Sequence, residues 1–170
     1  MKRLRKLLVA TVVAAMVLSM VGVAAAATTK AAFNDLTGTE EYAGDFALLK
    51  ALGIFEGYGD GNVGPNDPLT REQFAKVVVT MMGKENLAAA VANYPTSFAD
   101  DADISDWARG YVIVANSLGI VNGYPDGTFG PQRNVTFTEA FAMLARALKL
   151  DDAAMGPWPT NYLILATEVG

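Results

Sequence analysis

Apolar residues recur along this chain at helical spacing, in sets that resemble one another. Tyr42, Phe46, Leu49 and Leu52 lie on one face of a helix. Trp107, Tyr111, Val114 and Leu118 repeat that face, at i, i+4, i+7 and i+11. Each set runs into Leu-Gly-Ile, where Gly53 or Gly119 supplies the left-handed position that ends a helix and Ile54 or Ile120 folds back on it. Ser105 or Asp103 is placed to cap the start of the second set. A second stripe follows in each case: Phe74, Val77, Val78 and Met81, then Phe141, Met143, Leu144, Ala147 and Leu148. Thr70 with Gln73, and Thr136 with Glu139, read as capping boxes that open these helices.

The polar stretches between the stripes repeat as well. Gly53, Ile54, Gly57, Tyr58, Asp60, Gly61, Gly64, Pro65 and Thr70 recur, at one constant offset and without a gap, as Gly119, Ile120, Gly123, Tyr124, Asp126, Gly127, Gly130, Pro131 and Thr136. Tyr124-Pro125-Asp126-Gly127 suits a type I turn, and Tyr58-Gly59-Asp60-Gly61 reads as the same turn with a looser second position. One unit, helix–glycine-rich loop–helix, is therefore used twice, and such units bury their apolar faces against each other. The expected organisation is a first unit over 33–83, a linker over 84–97 and a second unit over 98–150. An alanine-rich helix over 85–94, stopped by Pro95, is expected in the linker. Trp158, Tyr162, Leu165 and Val169 restart the face, and Gly170 follows Trp158 at the spacing by which Gly119 follows Trp107. Residues 151–170 thus read as a third unit cut off at its loop, which marks the chain as a fragment or a truncated product.

Residues 1–27 read differently. Lys2, Arg3, Arg5 and Lys6 precede an apolar run from Leu7, and Ala25-Ala26-Ala27 offers a cleavage site before Thr28. This is the three-part export signal, favoured over an uncleaved anchor, and it is the only expected contact with a membrane. Residues 28–32 follow as an exposed tail. Removing the leader takes four of 13 basic residues and none of 18 acidic ones, which leaves a net charge of −9. Such a domain is a poor general binder of nucleic acid. The absence of cysteine and histidine excludes thiol chemistry, histidine-ligated metal and the Ser-His-Asp triad. Asp100, Asp101, Asp103 and Asp106 lack the glycine and distal glutamate of a calcium loop. No pair of carboxylates is placed for glycoside hydrolysis. No catalytic residue, metal or cofactor is expected.

The ordered set Phe33-Asn34-Asp35, Leu-Gly-Ile, Gly-Tyr-x-Asp-Gly, Pro and Thr70-Arg71-Glu72, with Phe98-Ala99-Asp100 opening the second unit, resembles the S-layer homology (SLH) domain. The resemblance covers about 33 to 170. It implies an all-α fold in which helix–loop–helix repeats pack as a partial pseudo-threefold bundle. It also implies non-covalent anchoring of an exported bacterial protein at the cell wall and surface layer. The implied partner is a secondary cell-wall polysaccharide, often bearing pyruvate ketals, or a peptidoglycan-linked glycopolymer, held in grooves between units. The alternatives are a degenerate module with a structural or protein-contact role in surface-layer assembly, self-association included, and service as the anchor of an exported hydrolase whose catalytic domain lies beyond Gly170. The residues implicated in ligand binding are Arg71 and Glu72 of the signature, the opening Asp35 and Asp100, the loop glycines Gly57 and Gly123, and Trp107 and Trp158. A guanidinium matches a carboxylate by paired hydrogen bonds, and Arg71 sits at a helix N-terminus that adds positive potential. The tryptophans suit sugar stacking, although an apolar helical face alone reads as core. Phe137 stands where the second unit would carry the signature arginine, so that unit is expected to lack a carboxylate clamp.

Overall fold

The computed structural model describes residues 33–37, 42–150 and 156–169. The leader, the 28–32 tail, the first residues of the third unit and Gly170 lie outside them. The described elements are helical: α1 Ala43–Ala51, α2 Arg71–Met81, α3 Glu85–Val91, a 3-10 turn Asp101–Asp103, α4 Asp106–Ser117, α5 Phe137–Ala147 and α6 Thr160–Val169. No strand forms among the described residues; the one β feature is an isolated antiparallel bridge between Thr70 and Asn134. Among them, too, no helix is long and apolar enough to cross a membrane.

Helix ends fall where the local signals put them. Both capping boxes form completely, Thr70 with Gln73 and Thr136 with Glu139. Gly53 and Gly119 take φ +67° and +71°. After α4 the Gly119 and Ile120 amides bond back to the Asn116 and Ala115 carbonyls, the paired pattern of a Schellman end. After α5 the same pattern is built on Lys149, a side-chain-bearing residue held at φ 56°. Three expectations are corrected. Helix α3 ends at Val91, before the expected Tyr94. Gly59 has φ +81°, so the first loop does not make the type I turn, whose second residue has negative φ; the second loop does close it, Gly127 N to Tyr124 O at 3.0 Å. Ser105 stands at the N-cap of α4, but its side chain caps nothing on its own helix.

The buried faces are rotated from the aromatic-led stripes. On α4 the fully buried residues are Ala108, Val112, Val114 and Ala115, while Trp107 is 50 % exposed and Leu118 45 %. On α2 they are Ala75, Val78 and Val79. Small residues face the helix–helix contacts because they let backbones approach. Gly110 of α4 lies so close to the Ala88 carbonyl of α3 that any Cβ there would collide with it. The linker helix thereby joins the main core of α2, α4 and the second loop. Phe33, Leu36 and Val63, with Phe46 and Phe55 against them, form a smaller core under the first loop. Tyr162 and Leu165 of α6 pack on Ala142 and Ala145 of α5.

Candidate functional site

Each glycine-rich loop is held by the aspartate that opens its unit. Asp35 accepts hydrogen bonds from the Val63 and Gly64 amides at 2.9 and 2.7 Å. Asp100 accepts from Phe129 and Gly130, both at 2.7 Å. Gly57 and Gly123 have φ +76° and +74°, and a Cβ at either would strike the ring of Phe33 or Phe98. The structure therefore gives these four residues loop-building work. Gly123 alone among them also borders the groove described below.

The two units meet at a joint that uses the Thr-Arg-Glu signature. The Arg71 amide donates to the Arg133 carbonyl at 2.9 Å and the Glu72 amide to the Pro131 carbonyl at 3.2 Å. The amides expected to offer positive potential at this helix start are thus occupied by the second loop. The Arg71 side chain is not solvated. It is 6 % exposed, donates from Nε to the Phe129 carbonyl at 2.9 Å and pairs through Nη1 with Glu139 at 3.0 Å. Its guanidinium lies over the Tyr124 ring, 4.5 Å from the centroid. Glu72, 3 % exposed, accepts from the Ser105 amide and hydroxyl and from the Gln132 side chain. Its carboxylate complements the N-terminus of α4 from the other unit.

Glu139 is the hub of this arrangement. One oxygen takes Arg71 and the Tyr124 hydroxyl, the latter at 2.7 Å; the other takes the Thr136 amide and hydroxyl. Burial pushes its carboxyl up, but the hydrogen bonds from Thr136 and Tyr124 and the charge of Arg71 outweigh that and hold it below its ordinary value. Burial, and then the hydrogen bond to the Glu139 carboxylate, raise the Tyr124 phenol.

Beside the hub opens a groove of about 300 Å³. Arg71 reaches it from the first unit, Gly123, Tyr124, Glu139 and Arg146 line it from the second, and Trp158 walls it from just before α6. Trp158 is 52 % exposed and stands edge-on to the Tyr162 ring at 5.6 Å, so the core reading of both tryptophans is corrected. Of the residues singled out in the sequence, the groove gathers Arg71, Gly123 and Trp158. Glu72, Asp35, Asp100, Gly57 and Trp107 do not line it. Arg146 escaped the sequence reading because a basic residue in a last helical turn reads as a partner for the helix dipole. The signal that could have exposed it is the repeat itself: the equivalent position of the first unit is Thr80.

The chain matches the S-layer homology domain family model over residues 32–75 and 97–141. It is 39% identical over 121 residues to the middle cell wall protein of Brevibacillus brevis, covering 71% of this chain and 11% of that protein. It is 35% identical over 170 residues, all of this chain and 22% of the relative, to a cell surface protein of Thermoanaerobacter kivui. It is 29% identical over 117 residues to a cellulosome-anchoring protein of Acetivibrio thermocellus, covering 69% of this chain and 26% of that one. The chain spans a minor part of each of these proteins. No solved structure matches it significantly. With two family matches in register with the two units described above, the chain belongs to the S-layer homology domain family, a family of the bacterial cell wall and surface.

Proposed function

We propose that this chain anchors an exported bacterial protein to the cell wall by seating an acidic wall glycopolymer in the groove between α5 and the segment leading into α6. The observation that carries the reading is the meeting of the Arg146 guanidinium and the exposed Trp158 indole in a single groove of a strongly acidic chain. Arginines recognise carboxylates by paired, charge-assisted hydrogen bonds. An indole face stacks on the apolar face of a sugar ring. The pyruvate ketal implied by the family resemblance would present such a carboxylate on a ring. The pseudo-threefold arrangement would follow if a third unit met α5 through the joint already seen between the first two.

Retention on purified cell walls tests this. The chain should sediment with untreated walls and lose retention after mild acid removes the ketals. Equal retention on both preparations rejects the acidic group as the determinant, and no retention on either rejects anchoring. A second reading, contact between surface proteins, is favoured by Phe137, which is 70 % exposed and stacked on Phe141. Association of the chain with itself, without wall binding, would support that reading. Relatives include an amylopullulanase of Thermoanaerobacterium thermosulfurigenes, of which this chain covers 6%. A role as the anchor of a larger hydrolase is consistent with the same groove.

A further inference from the structure

We infer that Arg146, rather than the signature Arg71, is the residue that reads the carboxylate of the glycopolymer. This rests on the acidic-glycopolymer reading and assigns the charge recognition within that site. The two arginines reach one groove in different electrostatic states. Arg71 faces Glu139 at 3.0 Å, with both side chains nearly buried, so its charge is neutralised within the fold. Its Nε is committed to the Phe129 carbonyl.

Among the described residues Arg146 meets neutral acceptors. Its Nε donates to the Tyr162 hydroxyl at 3.1 Å and its Nη1 to the Ile120 carbonyl at 3.1 Å, and its guanidinium lies 5.3 Å from the Tyr162 ring centroid. Among the described residues no carboxylate lies within ion-pair distance of it, and its Nη2 has no hydrogen-bond partner. Two bonds and a ring fix the plane of the group, and no described carboxylate answers its charge. That is the state of a preorganised anion receptor: the ordering is done before the ligand arrives, and a carboxylate supplies the missing counter-charge. The partly enclosed setting strengthens the interaction relative to open water.

The first unit has no counterpart. The position equivalent to Arg146 is Thr80, which is buried, and the position equivalent to Glu139 is Gln73. The nearest cation on that helix, Lys76, stands 4.0 Å from Glu56. The described residues of the first unit thus hold no second copy of this carboxylate-binding arrangement.

The test is calorimetric titration of the exported chain with methyl 4,6-O-(1-carboxyethylidene)-hexopyranoside and with its uncharged methyl ester. The wild type should bind one equivalent of the acid and prefer it to the ester by about 10-fold or more, the range of one charge-assisted pair. Arg146→Met keeps the apolar stem and should bring the acid-to-ester ratio to about one. Arg146→Lys should restore part of the preference. Lys76→Met removes a cation outside the groove and should leave the ratio near that of the wild type. An acid preference that survives Arg146→Met, or two equivalents of acid per chain, overturns the assignment while leaving the anchoring reading standing. Binding of neither probe by the wild type overturns both.

Discussion

Arg71 carries the family signature, yet its side chain spends its charge inside the fold. Removing one partner of a nearly buried ion pair strands the other, which costs about 3 kcal/mol or more. Arg71→Ala should therefore lower the unfolding free energy by about 3 kcal/mol in urea titrations. Loss of wall binding in that variant reports stability before it reports ligand contact. Lys149 marks a lesser strain. It holds a left-handed backbone at φ 56° on an exposed helix end, where glycine fits without penalty. Lys149→Gly should raise stability by about 1 kcal/mol, read as a higher urea midpoint at unchanged slope. Both effects sit in side chains whose residue type was plain in the sequence while their surroundings were not.

At the scale of helices and loops, what the sequence made legible was what neighbours in sequence decide. Thr70 and Thr136 cap their own helices, Gly53 and Gly119 end theirs, and the repeat set the two loops in register. The buried faces were not legible, because burial depends on which helix approaches. The small residues Ala108, Gly110 and Ala115 admit α2 and α3 where the rings of α4 would have held them off. Gly110→Val should displace α3 from α4, costing several kcal/mol and exposing the amides of 85–91 to hydrogen exchange. The joint adds a pH dependence. The Glu139 carboxyl has a lower pKa folded than unfolded, so its contribution is complete above the unfolded value of about 4.5 and is lost as pH falls through the folded one. Asp101 and Asp126 are lowered as well, chiefly by bonds from Thr96 and Thr128, and act in the same direction. Glu139→Gln should flatten, without abolishing, the fall in melting temperature between pH 5 and pH 3.

In the whole molecule, the two units are not independent beads. Glu72 of the first unit satisfies the start of α4 in the second, and the second loop satisfies the start of α2 in the first. Circular dichroism and tryptophan fluorescence should therefore report one coincident melting transition, and Glu72→Ala should lower it for both probes together. The candidate site was half visible for the same reason. Arg71, Gly123 and Trp158 stood out as types in a motif, whereas Arg146 gains its meaning only from a neutral environment assembled by Ile120 and Tyr162.

The groove takes Arg71 from one unit, its floor from the next and Trp158 from the segment that leads into α6. A saccharide lodged there would clasp three successive stretches of polypeptide at once. Tension on a cargo tethered past α6 would then have to release the saccharide before it could draw these stretches apart, so that an occupied anchor would unfold at higher force than an empty one.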